Sequence, residues 1–473
     1  MNRRQFLKSI GAASLTATVA CTTQNTESET TAQGAALGEV PKGKMTMRTD
    51  LHGQQVSLLG YGCMRFPTIE GDSGREHDQP LDQQAINHLV DYAIEHGVNL
   101  FDTAPPYCKG RSEHAVGIAL SRHSRDKYLL STKLSNFDHT TWSREESIKM
   151  YHNSMRELQV DYIDYYMLHS VGGTRVDANN RQLDPMQLLS RRFFDNGILD
   201  YLCEEREKGH IRNLGFSYHG DIAVFDHLLS LQDQGKYHWD HVLIQHNYVD
   251  WNHSKLINPR NTNSSYLYGE LSKRNIPVFV MEPLLGGQLV SLNQHAIQML
   301  KQHDSQASVA SWAFRFAGNQ PRILTVLSGM TYLEHLQDNI RTYSPHQPLN
   351  DEELRMLEEI ADVYANFKTI PCTGCNYCMP CPFGIDIPSV FAHYNKCLNE
   401  GNILTTGATG SERQYIKARR AFLVGYDRAV PSYRQADHCI GCRNCVAACP
   451  QSIDIPQQML LVNDYAETLK QQN

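Results

Sequence analysis

Beyond its first twenty residues the 473-residue chain has no run of about 18 apolar residues, so it is not a multi-spanning membrane protein. It also lacks an excess of positive charge. Lys and Arg number 44 against 51 Asp and Glu, a net charge of −7, which argues against a nucleic-acid partner. Evenly spread cysteine is missing too: of 13 cysteines, eight fall in two tight runs, at 372–381 and 439–449. A disulfide framework suits short secreted chains that cannot bury a core, whereas this chain is 41% hydrophobic and long. What remains is an ordinary globular composition, with length for two to four domains at roughly 100–200 residues each, and cysteines that point to metal.

The first residues read as an address. Asn2-Arg3-Arg4-Gln5-Phe6-Leu7-Lys8 precedes a weakly apolar stretch, Ser9 to Ala20, and resembles a twin-arginine export signal. That route carries folded proteins, which suits a chain that acquires a cofactor before it leaves the cytoplasm. Thr18-Val19-Ala20-Cys21 resembles a lipoprotein processing site; cleavage after Ala20 and an uncleaved anchor are the alternatives. The expectation is an exported protein, periplasmic or membrane-anchored at Cys21, that meets the twin-arginine machinery and touches membrane only there. Residues 22–46 read as a polar linker.

Between about 47 and 345 short β-branched or aliphatic runs alternate with amphipathic stretches. Eight strand-helix units are predicted, with strands at Val56–Gly60, Val98–Asp102, Tyr128–Thr132, Tyr162–Leu168, Ile211–Ser217, Val242–Gln245, Pro277–Met281 and Ile323–Leu327. Gln83–His96 and Arg144–Leu158 place aliphatic residues at helical spacing on one face. Eight such units close naturally into an α/β (β/α)8 TIM barrel, which keeps its chemistry at the C-terminal ends of its strands.

Those ends carry Asp102-Thr103-Ala104-Pro105-Pro106-Tyr107-Cys108-Lys109-Gly110-Arg111-Ser112-Glu113, then Lys133, then Leu168-His169. Together they resemble the aldo-keto reductase family, whose Asp-Thr-Ala-x-x-Tyr-x-x-Gly-x-Ser-Glu segment is matched at every fixed position. The resemblance implies a catalytic tetrad of Asp102, Tyr107, Lys133 and His169. Chemistry asks for these types: hydride reduction of a carbonyl leaves an alkoxide, so an acid must stand at the oxygen, and an unassisted tyrosine is too weak. Lys133 is expected to lower the Tyr107 pKa, Asp102 to hold Lys133 charged, and His169 to donate to the carbonyl oxygen and orient it.

The family's cofactor contacts are matched less fully. Its Ser-Asn pair and Gln, which hold a nicotinamide carboxamide, align with Ser217-Tyr218 and Gln245, so the Asn is missing. Met281 stands where an aromatic ring commonly stacks, in Met281-Glu282-Pro283-Leu284, and Leu285-Gly286-Gly287 offers backbone amides to a diphosphate. Ser328 and Asn339 resemble the adenosine end; with no Arg or Lys in the strand-eight loop, NADP over NAD is unsettled. Asp72–Pro80 and Val171–Arg192 are polar insertions on the active-site face, either pocket walls or surface loops.

In the tail, Cys372-x2-Cys375-x2-Cys378-x2-Cys381-Pro382 and Cys439-x2-Cys442-x2-Cys445-x3-Cys449-Pro450 resemble the ligand runs of two-cluster bacterial ferredoxins. An internal repeat supports this, since Cys381-Pro-Phe-Gly-Ile-Asp-Ile-Pro388 returns as Cys449-Pro-Gln-Ser-Ile-Asp-Ile-Pro456. The resemblance implies Cys372, Cys375, Cys378 and Cys449 on one [4Fe–4S] cluster, and Cys439, Cys442, Cys445 and Cys381 on the other. The short spacing before Cys381 departs from the family, and four-cysteine zinc sites are the competing reading. Helical periodicity at Ser389–Leu398 and Arg413–Val424 makes 372–473 a mostly helical ferredoxin-like domain, joined through a connecting helix in 346–371. Cys63, Cys108, Cys203 and Cys397 read as core or loop thiols.

The composite is an exported NAD(P)(H)-dependent oxidoreductase of aldo-keto reductase type, acting on a small carbonyl or alcohol. Its two [4Fe–4S] clusters serve electron transfer or structure, and a redox partner protein is implied. Nicotinamide moves electrons in pairs, clusters move them singly, and no flavin motif couples the two. The alternative is therefore an iron-sulfur electron-transfer protein whose barrel is a binding or docking module.

Overall fold

The computed structural model describes residues 39–70, 79–179, 181–258, 260–367, 369–403 and 412–471. The signal, Cys21 and residues 22–38 of the linker, and most of the first insertion, lie outside the described residues. Val40–Asn473 is one compact unit.

Its first two strands, β1 (Met47–Thr49) and β2 (Gln55–Ser57), form an antiparallel hairpin. The barrel follows: β3 (Leu59–Gly62), β4 (Leu100–Asp102), β5 (Leu129–Leu134) and β6 (Ile163–Val171). The insertion after β6 makes a small hairpin, β7 (Arg175–Val176) and β8 (Gln182–Leu183). β9 (Ile211–Tyr218), β10 (His241–Gln245), β11 (Val278–Met281) and β12 (Ile323–Ser328) then complete the ring. The barrel is closed in the order β10-β11-β12-β3-β4-β5-β6-β9, and every pairing is parallel. The first strand corrects the sequence expectation: Val56 belongs to the hairpin, and the chain bends before Leu59, where the Leu58 amide donates to the Thr46 carbonyl. Val56-Ser57-Leu58-Leu59 reads as one continuous strand and gives no sign of that bend.

Two cores hold the barrel. Helices such as Gln83–Glu95 and Arg144–Leu158, capped by Asp82 and Ser143, pack their apolar faces on its outside. Inside, Val56, Leu100, Leu129, Tyr165, Met167, Leu243 and Phe279 fill the lumen. Side chains alternate along a strand, so the residues two or four places onward from these also face inward at the C-terminal rim. Those residues are Asp102, Lys133, His169, Gln245 and Met281.

Helix Asp351–Asn366 starts on an Asn350–Glu353 capping box, and its buried residues share a core with those of the barrel helices Tyr248–Ile257 and Val309–Ala317. It carries the chain to a separate helical core built on Val390, Phe391, Phe422, Met459 and Val462. Both copies of the repeat start helices here: Asp386 caps Ile387–Asn399 with Pro388 in its first turn, and Asp454 precedes Ile455–Gln471 with Pro456 in the matching place.

Candidate functional site

Asp102 ends β4 and Lys133 lies in the neighbouring β5, both fully enclosed. The Lys133 ammonium donates to Asp102 Oδ2 at 2.7 Å and to the Thr103 carbonyl at 2.7 Å, while Ser131 Oγ donates to Asp102 Oδ1 at 2.7 Å. A buried ion pair persists only when its other polar atoms find partners, and here both Asp102 oxygens and two of the three Lys133 ammonium protons do. Tyr107 follows in a tight turn whose Cys108 and Lys109 are left-handed, at φ 51° and 53°. Thr103 and Ser112 hydroxyls pair at 2.8 Å and Ser112 donates to the Cys63 carbonyl, so the Ser of the motif ties the turn to the barrel. The Glu of the motif, Glu113, is buried beneath it and accepts from Thr132 Oγ1 at 2.6 Å.

The Tyr107 ring lies 4.9 Å from Lys133 Nζ and edge-on to His169, with ring centroids 6.0 Å apart. Its phenol is held well above the usual tyrosine range, first by burial and then by the Asp102 carboxylate. The expected lowering by Lys133 does not prevail: its ammonium is directed to Asp102 and Thr103, and burial together with the Asp102 carboxylate sets the net direction. His169 is pushed well below the ordinary histidine range by burial, with Lys133 and Arg192 adding to it, so it is neutral. Its Nδ1 pairs with Ser135 Oγ at 2.6 Å, and Arg192 Nη2 donates to its carbonyl at 2.7 Å.

Arg192 comes from the insertion after β6, which is therefore not a decorative loop. Its guanidinium also donates to Asn136 Oδ1, and Arg175 from the same insertion donates to the Ala447 carbonyl between Cys445 and Cys449.

The eight cysteines of the tail fall into two groups. Cys372, Cys375, Cys378 and Cys449 line one cavity with Ile387, Phe391 and Gln451. Cys445 has Cys442, Cys439 and Cys381 as its thiol neighbours. Each set thus takes three cysteines from one run and the last cysteine of the other. Among the described residues no three His, Cys, Asp or Glu side chains converge as a single metal ion requires. Sulfurs spread around a cavity fit a polynuclear cluster better than mononuclear zinc.

Residues 58–362 match the Aldo/keto reductase family, and residues 371–453 match the 4Fe-4S dicluster domain. The chain belongs to the aldo/keto reductase family. Protein tas of Escherichia coli K12 is 25% identical over 357 residues, covering 66% of this chain and 95% of its own. Among solved structures, the holo form of aldo-keto reductase AKR11C1 from Bacillus halodurans is 21% identical, with a TM-score of 0.50, covering 67% of this chain and 96% of its own. An aldo-keto reductase from Klebsiella pneumoniae in complex with NADPH is 19% identical, with a TM-score of 0.50, covering 69% and 97%. These two share the barrel fold; the relatives named here cover about two thirds of the chain.

The cofactor half of this reductase's mouth is engaged differently from the tetrad. Ser217 Oγ accepts from the Ser170 amide at 2.7 Å. Gln245 donates to Asp250 Oδ2 at 2.7 Å and accepts from Gln451 Nε2 at 3.1 Å. Tyr218, in place of the family's Asn, turns its hydroxyl onto the Gly220 carbonyl. Met281 packs on the lumen core, and Leu284 packs between the outer core of the barrel and the core shared with helix Asp351–Asn366. A Cβ placed on Gly286, whose φ is +67°, would stand 2.3 Å from Thr373 Cα. Ser328 accepts from Asn339 at 3.0 Å. Of the expected positions, Gln245 and Gly286 contact the dicluster domain, so the places the resemblance gives to the carboxamide and the diphosphate are taken as folded.

Sequence reasoning missed Ser135, Arg192, Arg65 and Tyr377. Arg65, from the loop after β3, lies along Gly329 of the strand-eight loop and donates to the Thr373 carbonyl at 2.8 Å. Tyr377 stands between Cys375 and Cys378, shares a hydrogen bond with Tyr107 and lies edge-on to Phe137. A bulky residue between closely spaced cysteines was the only available signal.

Proposed function

We propose that this protein interconverts a carbonyl compound and an alcohol at the mouth of its barrel, with Tyr107 as the proton donor to the carbonyl oxygen. The observation that carries the reading is the buried Asp102–Lys133 pair directly beneath Tyr107, with neutral His169 alongside. The raised phenol stays protonated and so is a donor at rest. As negative charge moves onto its oxygen during transfer, the fixed ammonium of Lys133 is the nearest compensating charge. A neutral imidazole paired through Nδ1 leaves Nε2 to orient the carbonyl oxygen, with the proton on Nε2 when Ser135 donates.

Two [4Fe–4S] clusters are assigned to Cys372, Cys375, Cys378 and Cys449, and to Cys439, Cys442, Cys445 and Cys381. Each supplies one-electron exchange when bound, and a redox partner protein follows from that. Anaerobically purified protein should hold about eight iron per chain on this assignment. Cys378→Ala and Cys445→Ala should each remove about half of it, and Cys203→Ala none. Zinc in place of iron would overturn the assignment. For the N-terminus, export by the twin-arginine route is proposed: replacing Arg3 and Arg4 by Lys should leave cluster-loaded protein in the cytoplasm.

Nicotinamide hydride is what the family resemblance implies, whether NAD or NADP. Because Gln245 and Gly286 are covered, no step is drawn through it. A binding module without catalysis would have no need of Asp102, Tyr107, Lys133 and His169 together. The test is anaerobic turnover of a carbonyl panel with NADPH, NADH and a reduced viologen dye as alternative donors. Reduction of no carbonyl with any donor would favour the binding-module alternative.

A further inference from the structure

Three contacts link the lining of the first cysteine cavity to the cofactor half of the barrel mouth, and a fourth joins the same loop to the catalytic half. The Thr373 backbone rests on Gly286, leaving no room for even a methyl group between them. The Cys372 carbonyl accepts from Gln288 Nε2 at 2.9 Å, and Gln288 is itself fixed by Tyr364, whose hydroxyl donates to its Oε1 at 2.5 Å. Gln451 donates to Gln245, and its own carbonyl accepts from Asn258. Tyr377 places its hydroxyl on that of Tyr107, where a substrate oxygen would be met. Thr373, Cys372 and Gln451 all line the cavity of Cys375, Cys378 and Cys449, so one set of residues serves both sites.

A dinucleotide laid along this mouth would need the Gly286 backbone for its diphosphate and the Gln245 amide for its carboxamide. Both are committed. Displacing Gln451 would break its hydrogen bonds with Gln245 and Asn258, and lifting Thr373 from Gly286 would drag the cysteine loop with it. We propose that the loop Cys372–Cys378 and Gln451 are resident occupants of the barrel's cofactor cleft, so that the chain with its dicluster domain seated binds no free nicotinamide dinucleotide. This rests on the carbonyl–alcohol reading for the identity of the site, and it changes what that site accepts as a donor. Carbonyl reduction still takes up two electrons and two protons. The electrons then come from one-electron donors of the ferredoxin or viologen class, and the protons from Tyr107 and solvent.

The test uses anaerobic, iron-loaded, full-length protein. Titration with NADPH and with NADH, followed by nicotinamide fluorescence, should show no saturation up to about 1 mM, the weak end of ordinary affinities. Micromolar binding of either nucleotide would overturn the proposal and leave the carbonyl–alcohol reading intact. Conversely, absence of binding together with dye-driven reduction unaffected by Tyr107→Phe would overturn that reading and leave the proposal standing. A second readout addresses the contact itself. Gly286→Ala inserts a methyl group against Thr373 and should alter the electron paramagnetic resonance of the reduced clusters; Gln288→Ala, which frees the Cys372 carbonyl, should do so more mildly at unchanged iron content. Unchanged spectra in both variants would show that the loop does not rest on the barrel.

Discussion

Apart from the hydrogen bond between Tyr107 and Tyr377, one half of the barrel mouth is held by partners inside the barrel, while the other half is also engaged by the C-terminal domain. Asp102, Lys133, Ser131 and Thr103 satisfy one another across β4 and β5, and His169 is fixed by Ser135 and Arg192. Opposite them, Gln245 is held by Gln451, Gln288 by the Cys372 carbonyl, and Gly286 is covered by Thr373. The contrast follows the family pattern residue by residue. The tetrad is complete where its partners are its own strands. Departures such as Tyr218 and Met281 fall where a bound cofactor would have been the partner.

The largest expected effect tests whether the first half carries the chemistry alone. Tyr107→Phe removes the phenolic proton and should lower carbonyl turnover by about 10²–10⁴-fold, the usual span for loss of a general acid. Iron content should stay at the parent level, because the hydroxyl holds no cysteine. Turnover within a factor of two of the parent would sink the assignment of the proton donor. A simultaneous loss of iron would blur the division between the halves, showing that Tyr377 needs Tyr107 to hold its loop.

Next in size is the buried pair. Asp102→Asn leaves Lys133 charged and uncompensated in a site with no water contact, and breaking a buried pair from one side costs about 3–5 kcal/mol. Anaerobic denaturant titration should show this loss in the barrel. The comparison sharpens with Gln245→Ala, which removes hydrogen bonds to the Asp250 carboxylate and to Gln451 without breaking an ion pair. It should cost about 1–3 kcal/mol.

How far the sequence revealed these halves follows from what each depends on. The eight strands and the inward-facing Asp102, Lys133 and His169 were legible because alternation and strand ends are local properties. The two cysteine runs stood out because ligand spacing is local as well, whereas which last cysteine joins which run came only from the resemblance to two-cluster ferredoxins. Tyr377 and Gln451 were not, since nothing in Cys-Asn-Tyr-Cys or Cys-Pro-Gln says which distant surface those side chains meet. The direction of the Tyr107 shift was misjudged for a related reason: residue type gives Lys133 its charge, but only the fold directs the ammonium to Asp102 and Thr103. Val56 misled because Val56-Ser57-Leu58-Leu59 reads as one strand and nothing in it marks the bend before Leu59.

A smaller effect concerns the floor of the catalytic half. Burial raises the Glu113 carboxyl from its ordinary 4.5 to about 7, against the hydrogen bond from Thr132. Between those values the folded chain holds a proton that the unfolded chain releases, so stability falls as pH rises through that window. The loss is complete above about pH 7 and amounts to at most about 3 kcal/mol. Glu113→Gln should flatten this slope and raise the melting temperature at pH 8 relative to the parent, with little change at pH 5. A parent whose stability rises steadily from pH 5 to 8, with the variant following in parallel, would show that Glu113 is ionised in the fold.

The smallest effect separates the two copies of the repeat that supports the covering domain. Asp386 accepts from the Ser389 amide at 3.2 Å and lies 3.9 Å from the Arg434 guanidinium, while its own amide donates to the Arg434 carbonyl. Asp454 reaches the Gln457 amide only at 3.5 Å and meets Arg443 at 3.2 Å on the exposed side. A side-chain cap lost to alanine costs about 1 kcal/mol, and an exposed ion pair adds between nothing and about 1 kcal/mol. Asp386→Ala should therefore destabilise the helical core by about 1 kcal/mol, and Asp454→Ala by less, read as the midpoint of cluster bleaching in denaturant under anaerobic conditions. Asp386 stands five residues after Cys381 and Asp454 five after Cys449, so each cap fixes a helix that follows a crossing cysteine. Since Cys381 belongs with the Cys439–Cys445 set and Cys449 with the set against the barrel, the two caps report on different sides of the comparison. If Asp454→Ala proves the more damaging, the covering half draws more support from the barrel-facing set than the hydrogen bonds at its cap account for.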